Sequence, residues 1–173
     1  MVNPKLAVAL TGRSGEALEE YKKLMLKLNN EVVAAAPEDL LINTHVCRGN
    51  YHSTFFSSGA YDSVADLLFG EENVNAYYLE YDDERSGGFA PLAKVSGDKK
   101  VVLGLVTTKT PALENKELVI NRIHEAAKYV PLDRLYLSPQ CGFASCEIGN
   151  KLTEEEQWAK LRLVKKIAEK VWG

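Results

Sequence analysis

Hydrophobic residues recur at intervals of three and four in several parts of the chain, which is the pattern of amphipathic helices. The first stripe extends from about Gly15 to Ala36, and it predicts a helix that Ser14 can cap and Pro37 ends. A capping-box pattern at Thr153 and Glu156 marks the start of the last helix. The other stripes predict helices over residues 61–69 and from near Pro111 to Val130, with a short helical segment over 89–95.

Four short apolar runs alternate with these helices and predict buried β-strands. They cover residues 40–46, 74–80, 101–106 and 134–137. Because helices alternate with buried strands, we expect parallel pairing with right-handed crossovers. The predicted fold class is therefore α/β, in the form of a partial TIM (β/α)8 barrel of about four βα units, within a single domain that spans residues 1–173.

Four βα units amount to half of an eight-stranded barrel. A half-barrel has two unpaired sheet edges and an apolar inner face, and both features favour association. We expect the chain to close a barrel with a partner half-barrel, to form a homo-oligomer, or to fold as an open sheet.

Four side chains that can bind a metal lie at the ends of three of the apolar runs. His45 and Cys47 end the first, Glu80 ends the second, and Cys141 follows the last. Residues at the carboxyl ends of parallel strands converge on one face of a barrel, and side chains two positions apart on a strand point the same way. This set of nitrogen, sulfur and oxygen donors suits Zn²⁺, with Glu80 as the ligand most readily displaced. The spacing of these residues by itself is explained equally well by an alternative to a metal site, in which a buried cysteine lies beside a solvent-facing histidine.

Composition restricts the classes of function. The chain has 173 residues, of which 46% are hydrophobic, and a formal net charge of -3. No sustained basic patch is present that would follow a phosphate backbone, so we expect no nucleic-acid partner. No apolar run approaches the roughly 20 residues that cross a membrane, and the N-terminus lacks a signal-peptide pattern, so we expect no membrane partner and a cytoplasmic location. Three cysteines in a reducing compartment are better used as metal ligands than as disulfides.

Three segments carry a more specific signal: residues 42–50 (INTHVCRGN), 78–87 (YLEYDDERSG) and 137–143 (LSPQCGF). They resemble the catalytic domain of cobalamin-independent methionine synthase, and most closely its shorter single-domain relatives. The resemblance extends from about residue 15 to residue 172 and corresponds to the C-terminal half of the family's barrel. It implies a TIM barrel in which zinc binds the thiol of homocysteine, and the thiol then takes a methyl group from a methyl-folate. The implied zinc ligands are His45, Cys47, Glu80 and Cys141.

The resemblance also suggests further site residues. Arg85 and Ser86 match a loop beside the zinc, which implies contact with the substrate carboxylate. Lys109 occupies the place of a family histidine that assists proton transfer, and we predict it as a catalytic residue. This replacement leaves a methyl-corrinoid open as the donor. The family's first half-barrel is not matched, which favours a second hypothesis: a zinc-binding half-barrel remnant or subunit that is inactive alone and needs a partner chain.

Overall fold

Four parallel strands form one sheet in a computed structural model that describes residues 3–173. The strands are β1 (Asn43–Val46), β2 (Ala76–Glu80), β3 (Lys100–Val106) and β4 (Leu135–Pro139). They are hydrogen-bonded in chain order, β1-β2-β3-β4, and every pairing is parallel. The predicted α/β class with parallel strands is confirmed.

Five helices accompany the sheet within the described residues: α1 (Pro4–Thr11), α2 (Gly15–Ala34), α3 (Ala65–Glu71), α4 (Lys116–Ala126) and α5 (Glu154–Trp172). Short 3-10 turns lie at Tyr61–Ser63, Glu84–Ser86, Ala90–Lys94 and Leu132–Arg134. No helix in residues 3–173 combines the length and the apolar character needed to cross a membrane.

Local signals explain most of the helix boundaries. The capping box that begins α5 is confirmed, since Thr153 Oγ1 accepts the N–H of Glu156 and the Glu156 carboxylate accepts the N–H of Thr153. Ser14 occupies the N-cap position of α2 but makes no capping hydrogen bond there. Helix α2 ends at Ala34, shortly before Pro37, as the restriction on residues preceding proline requires.

Several element boundaries differ from the sequence prediction; α3, for example, begins at Ala65 rather than residue 61. Helix α1 was not predicted, although Asn3 caps its start and Gly12, in the left-handed conformation, ends it. Strand β1 begins at Asn43 rather than residue 40, and Leu41 is exposed. Helix α4 begins at Lys116 rather than near Pro111, because the side chain of Asn115 accepts the N–H of Leu118 and fixes the cap at that position.

The hydrophobic core lies between the helices and one face of the sheet. Tyr77, Leu79, Leu103 and Leu105 point to this side and are buried. Two tyrosines of the opposite face, Tyr78 of β2 and Tyr136 of β4, are 40% and 41% exposed. That face is the inner one of the predicted half-barrel, and in this chain it is partly open.

Gly104 lets β2, β3 and the end of β4 approach closely. A Cβ atom at this position would lie 2.7 Å from the carbonyl oxygen of Leu79 and 2.8 Å from Cα of Gln140. Both neighbours are backbone atoms of the sheet or its edge, so neither can move aside independently. Gln140 precedes Cys141, so this contact also fixes the approach of the last strand to the site.

We expect Gly104→Ala to lower the free energy of unfolding by about 1–3 kcal/mol, as overpacking of a closed interior does. Gly88→Ala is the matched control, because its Cβ would meet nothing within 4 Å. Urea denaturation of the two variants measures the difference. Equal losses of stability would show that the sheet has room at Gly104.

Candidate metal centre

His45, Cys47 and Cys141 come together at the carboxyl edge of the sheet. Their ligand atoms all lie within 4.8 Å of one another. His45 belongs to β1, Cys47 follows that strand by one residue, and Cys141 follows β4 by two. These are the two outer strands, which in a flat sheet of four would be roughly 14 Å apart at ordinary strand spacing. Curvature of the sheet and inward-turning loops therefore build the group.

Glu80 lies at the end of β2, beside this group but outside it. Its Oε2 accepts the backbone N–H of Arg48. Its Oε1 is 3.1 Å from Nη2 of Arg85 and 3.6 Å from Nζ of Lys109. The structure thus brings three of the four predicted ligands into one group. The fourth, Glu80, pairs instead with the positively charged side chains of Arg85 and Lys109.

Hydrogen bonding within the group distributes its protons unequally. Hydrogen bonds from Cys141 and from His45 lower the pKa of the Cys47 thiol well below its usual range. The contact with Cys47, together with burial, raises the pKa of Cys141. The hydrogen bond with Cys47 raises the pKa of His45 as well. The metal-free group therefore favours a thiolate at Cys47, stabilised by two neighbouring donors.

The other predicted site residues lie on the same edge of the sheet. Lys109 follows β3, and its Nζ lies between Glu80 and Asp82, 3.4 Å from Oδ2 of Asp82. Arg85 reaches Glu80 from the 3-10 turn after β2 and also pairs with Asp83 at 2.7 Å. Ser86 is fully buried, and its hydroxyl has no hydrogen-bond partner among the described residues. Arg85 and Lys109 thus adjoin the candidate ligand Glu80, whereas Ser86 lies beneath the surface.

Sequence reasoning missed Arg48, which joins the ends of β1 and β2. The side chain is 1% exposed. Its guanidinium donates to the carbonyl oxygens of Gly59 and Glu80, and to the hydroxyl of Tyr61 at 3.1 Å. Arg48 directly follows Cys47 in the segment 42–50, and this position was the signal in the sequence that could have identified it. A buried arginine must find several hydrogen-bond acceptors, so a buried Arg48 has to link the elements around the ligand.

A second set of polar residues, also missed, holds Cys141 in place. Gln140 is 2% exposed, and its side-chain amide donates to Sγ of Cys141. Thr108 donates to the Gln140 amide oxygen at 2.8 Å. Asn150 donates to Thr108 O at 2.7 Å and to the side chain of Asn50 at 2.9 Å. The loops after β1, β3 and β4 are therefore linked into one hydrogen-bonded frame around the thiols.

An apolar cavity of about 520 Å³ borders the centre. It lies between the first two helices and the β1 side of the sheet, and Leu10, Met25 and Leu68 are among the residues that line it. Cys47 belongs to the lining, so the cavity reaches the candidate metal centre from the helix side.

The donor set fits zinc. Two cysteine sulfurs and one imidazole nitrogen provide three of the four ligands of a tetrahedral shell, and a fourth position is left for an oxygen or a substrate atom. Calcium and magnesium prefer shells of oxygen ligands, which this group of sulfur and nitrogen atoms does not provide.

Comparison with known proteins places the chain in a family. Residues 17–170 match the family of the catalytic domain of cobalamin-independent synthases. This match covers most of the chain, so the protein belongs to the cobalamin-independent methionine synthase family.

Individual relatives agree with that assignment. The uncharacterized protein YxjG of Bacillus subtilis is 53% identical over 91% of this chain and 42% of its own length. A methionine synthase of Methanothermobacter thermautotrophicus is 30% identical over 74% of this chain and 36% of its own length. The chain spans less than half the length of the curated relatives that it matches.

A solved structure shares the fold. A Listeria monocytogenes protein, provisionally assigned as a vitamin-B12-independent methionine synthase, is 42% identical with a TM-score of 0.70. The match covers 94% of this chain and 43% of that one. The four-stranded parallel sheet is therefore consistent with part of a TIM-type barrel.

We expect Cys47 of the metal-free protein to react with iodoacetamide almost as fast at about pH 6 as at pH 8, whereas glutathione, with an ordinary thiol pKa, loses most of its rate. The reason is the lowered pKa of Cys47, which keeps the thiolate populated as the pH falls. Mass spectrometry of the labelled peptide gives the rate at this residue.

Cys141→Ala removes a hydrogen-bond donor to Cys47 and should restore part of the pH dependence. Cys146→Ala, a change at a cysteine outside the three-donor group, should leave it unaltered. If the Cys47 rate falls in parallel with that of glutathione as the pH is lowered, the lowered pKa of Cys47 is contradicted.

Proposed function

We propose that the chain is the zinc-carrying part of a methyltransferase that moves a methyl group from a methyl-folate to the thiol of homocysteine and so forms methionine. The observation that carries the proposal is the group of His45, Cys47 and Cys141, whose ligand atoms lie within 4.8 Å at the carboxyl edge of the sheet. In this reaction the bond between the methyl carbon and the folate nitrogen breaks and a bond from that carbon to sulfur forms. The proton lost by the thiol balances the one gained by the folate nitrogen.

His45, Cys47, Cys141 and Glu80 are the proposed zinc ligands. Bound there, zinc would keep a substrate thiol deprotonated near neutral pH, because coordination lowers the pKa of a thiol. Two cysteine thiolates favour a sulfur nucleophile, whereas sites with several histidines are typical of water activation. Glu80 is the ligand that we expect a thiol to replace, because its oxygen is the donor that suits the metal least in this set.

Arg85 is the residue proposed to bind the carboxylate of homocysteine. Its Nη1 is buried and has no hydrogen-bond partner among residues 3–173, although Nη2 and Nε are engaged. A guanidinium group matches a carboxylate in geometry and charge. The Ser86 residue is fully buried, whereas the Arg85 side chain is 13% exposed, so we propose that Ser86 supports the turn that presents Arg85.

The second candidate function is that of a zinc-binding subunit that needs a partner half-barrel for turnover. One observation favours it: the inner sheet face exposes Tyr78 and Tyr136. The ligands would then lie on this chain, and the remaining substrate contacts on the partner.

We expect the purified protein to hold about one zinc ion per chain, and Cys141→Ser to lose most of it, because one of the few ligands of a tetrahedral site is removed. Cys146→Ser should retain zinc, since Cys146 lies outside the group. Elemental analysis after gel filtration gives the stoichiometry. A wild-type protein that is purified without metal and binds no added zinc would refute the proposed function.

We expect the zinc-loaded chain to form methionine from homocysteine and a methyl-folate, and Arg85→Ala to raise the KM for homocysteine on the order of tenfold or more, as loss of a charged hydrogen bond does. A thiol substrate without a carboxylate should show a much smaller change, which separates substrate binding from disturbance of Glu80. A methyl-corrinoid is tested in parallel as the donor. Zinc binding without methionine formation from either donor would favour the subunit hypothesis.

A further inference from the structure

Two carboxylates and two cationic groups form a buried cluster beside the thiols. The side chains of Glu80 and Asp82 are 0% exposed, that of Lys109 is 7% exposed, and that of Arg85 is 13% exposed. Charges removed from water to this extent are stable only when they are paired, so the arrangement of the four groups is tightly constrained.

Both oxygens of the Glu80 carboxylate are occupied within this cluster. Oε1 faces Arg85 and Lys109, and Oε2 accepts the backbone N–H of Arg48. In this arrangement the carboxylate does not belong to the group formed by His45 and the two cysteines. A metal ion that takes Glu80 as a ligand must therefore compete with these contacts.

We propose that Lys109 and Arg85 form a cationic seat that holds Glu80 away from the metal position and lowers the affinity of the centre for zinc. In this role Lys109 is a positioning residue that acts through Glu80. The inference rests on the proposed zinc site. It adds that the Glu80 carboxylate alternates between two positions, one paired with Lys109 and Arg85 and one bound to the metal.

The cluster is built so that Glu80 can leave without stranding either cation. Lys109 also contacts Asp82 at 3.4 Å, and Arg85 also lies 3.5 Å from Asp82 and 2.7 Å from Asp83. Transfer of Glu80 to a metal therefore leaves each cation with a carboxylate partner. This is the condition under which a buried ion pair can open at moderate cost.

A separate buried pair fixes the loop that carries Lys109. Lys160 of α5 is 0% exposed and donates to Glu114 at 3.0 Å, and Glu114 accepts the backbone N–H of Thr107 at 2.9 Å. Thr107 in turn accepts the N–H of Lys109 at 3.3 Å. The last helix thus anchors the backbone of the loop that carries Lys109.

Zinc affinity, measured by competition with a chromophoric chelator, tests the inference on the full chain. We expect Lys109→Met to bind zinc more tightly than the wild type, by a factor on the order of ten, because Glu80 is released from one of its cationic partners. Lys109→Arg should bind like the wild type, since it keeps the charge. Lys94→Met is the control for loss of a positive charge at an exposed ion pair, with Asp66, and should also bind like the wild type.

The decisive comparison uses Glu80→Gln, which keeps the shape of the side chain and removes its charge. If Lys109 acts through Glu80, adding Lys109→Met to Glu80→Gln should produce no further tightening. Equal tightening in both backgrounds would mean that Lys109 repels the metal directly, and this would overturn the inference. Unchanged affinity in Lys109→Met would overturn it as well.

The outcome also separates this inference from the proposed function. If the wild type binds zinc and Lys109→Met does not change its affinity, the proposed role of Lys109 and Arg85 is refuted alone. If no variant binds zinc, both this inference and the proposed function are refuted. Circular dichroism establishes that each variant is folded. If Lys109→Met does not fold, Lys109→Gln, which removes the charge but can still donate hydrogen bonds to Asp82, takes its place in the same comparison.

Discussion

Parallel pairing of the four strands in chain order is the constraint on which the candidate site depends, because it brings every strand end to the same edge of the sheet. Cys47 and Cys141 nonetheless follow the two outermost strands, and they meet because the sheet curves and the loops after these strands turn inward. Gly104 permits part of this closure, since any side chain there would collide with the backbone at Leu79 and Gln140. A residue without metal-binding chemistry thereby helps to set the geometry of the ligands.

Charge balance is the second constraint on this edge of the sheet. Glu80 and Asp82 are buried together, an arrangement that would be costly without Arg85 and Lys109 between them. The acidic run after β2 would ordinarily be read as a solvated loop. Asp82, the first aspartate of this run, is instead buried at the site, where it pairs with Lys109 of the loop that follows β3.

The parallel α/β architecture was predictable from the chain because its signals are local and periodic. The stripe from Gly15 to Ala36 and the apolar run in β3 became a helix and a strand. Boundaries were less predictable where a single hydrogen bond decides them, as at Asn115, which starts α4 later than Pro111 suggested. Helix α1 was overlooked because its eight residues, Pro4–Thr11, are too few to establish a periodic pattern, although both of its caps were present in the sequence.

For the candidate site, the sequence by itself determined which side chains follow the strands and which family the motifs resemble. For His45, Cys47 and Cys141, position after the strands suggested that the side chains lie close together, because parallel strands end on one edge, and the resemblance to the family's motifs was needed to favour a metal site. Tertiary structure alone decided that Glu80 pairs with Lys109 and Arg85 rather than joining the thiols. It also decided that Arg48 and Gln140 support the ligands from within. These contacts depend on the distances between loops that are far apart in the chain and on the pairing of buried charges. Neither can be deduced from a local sequence pattern.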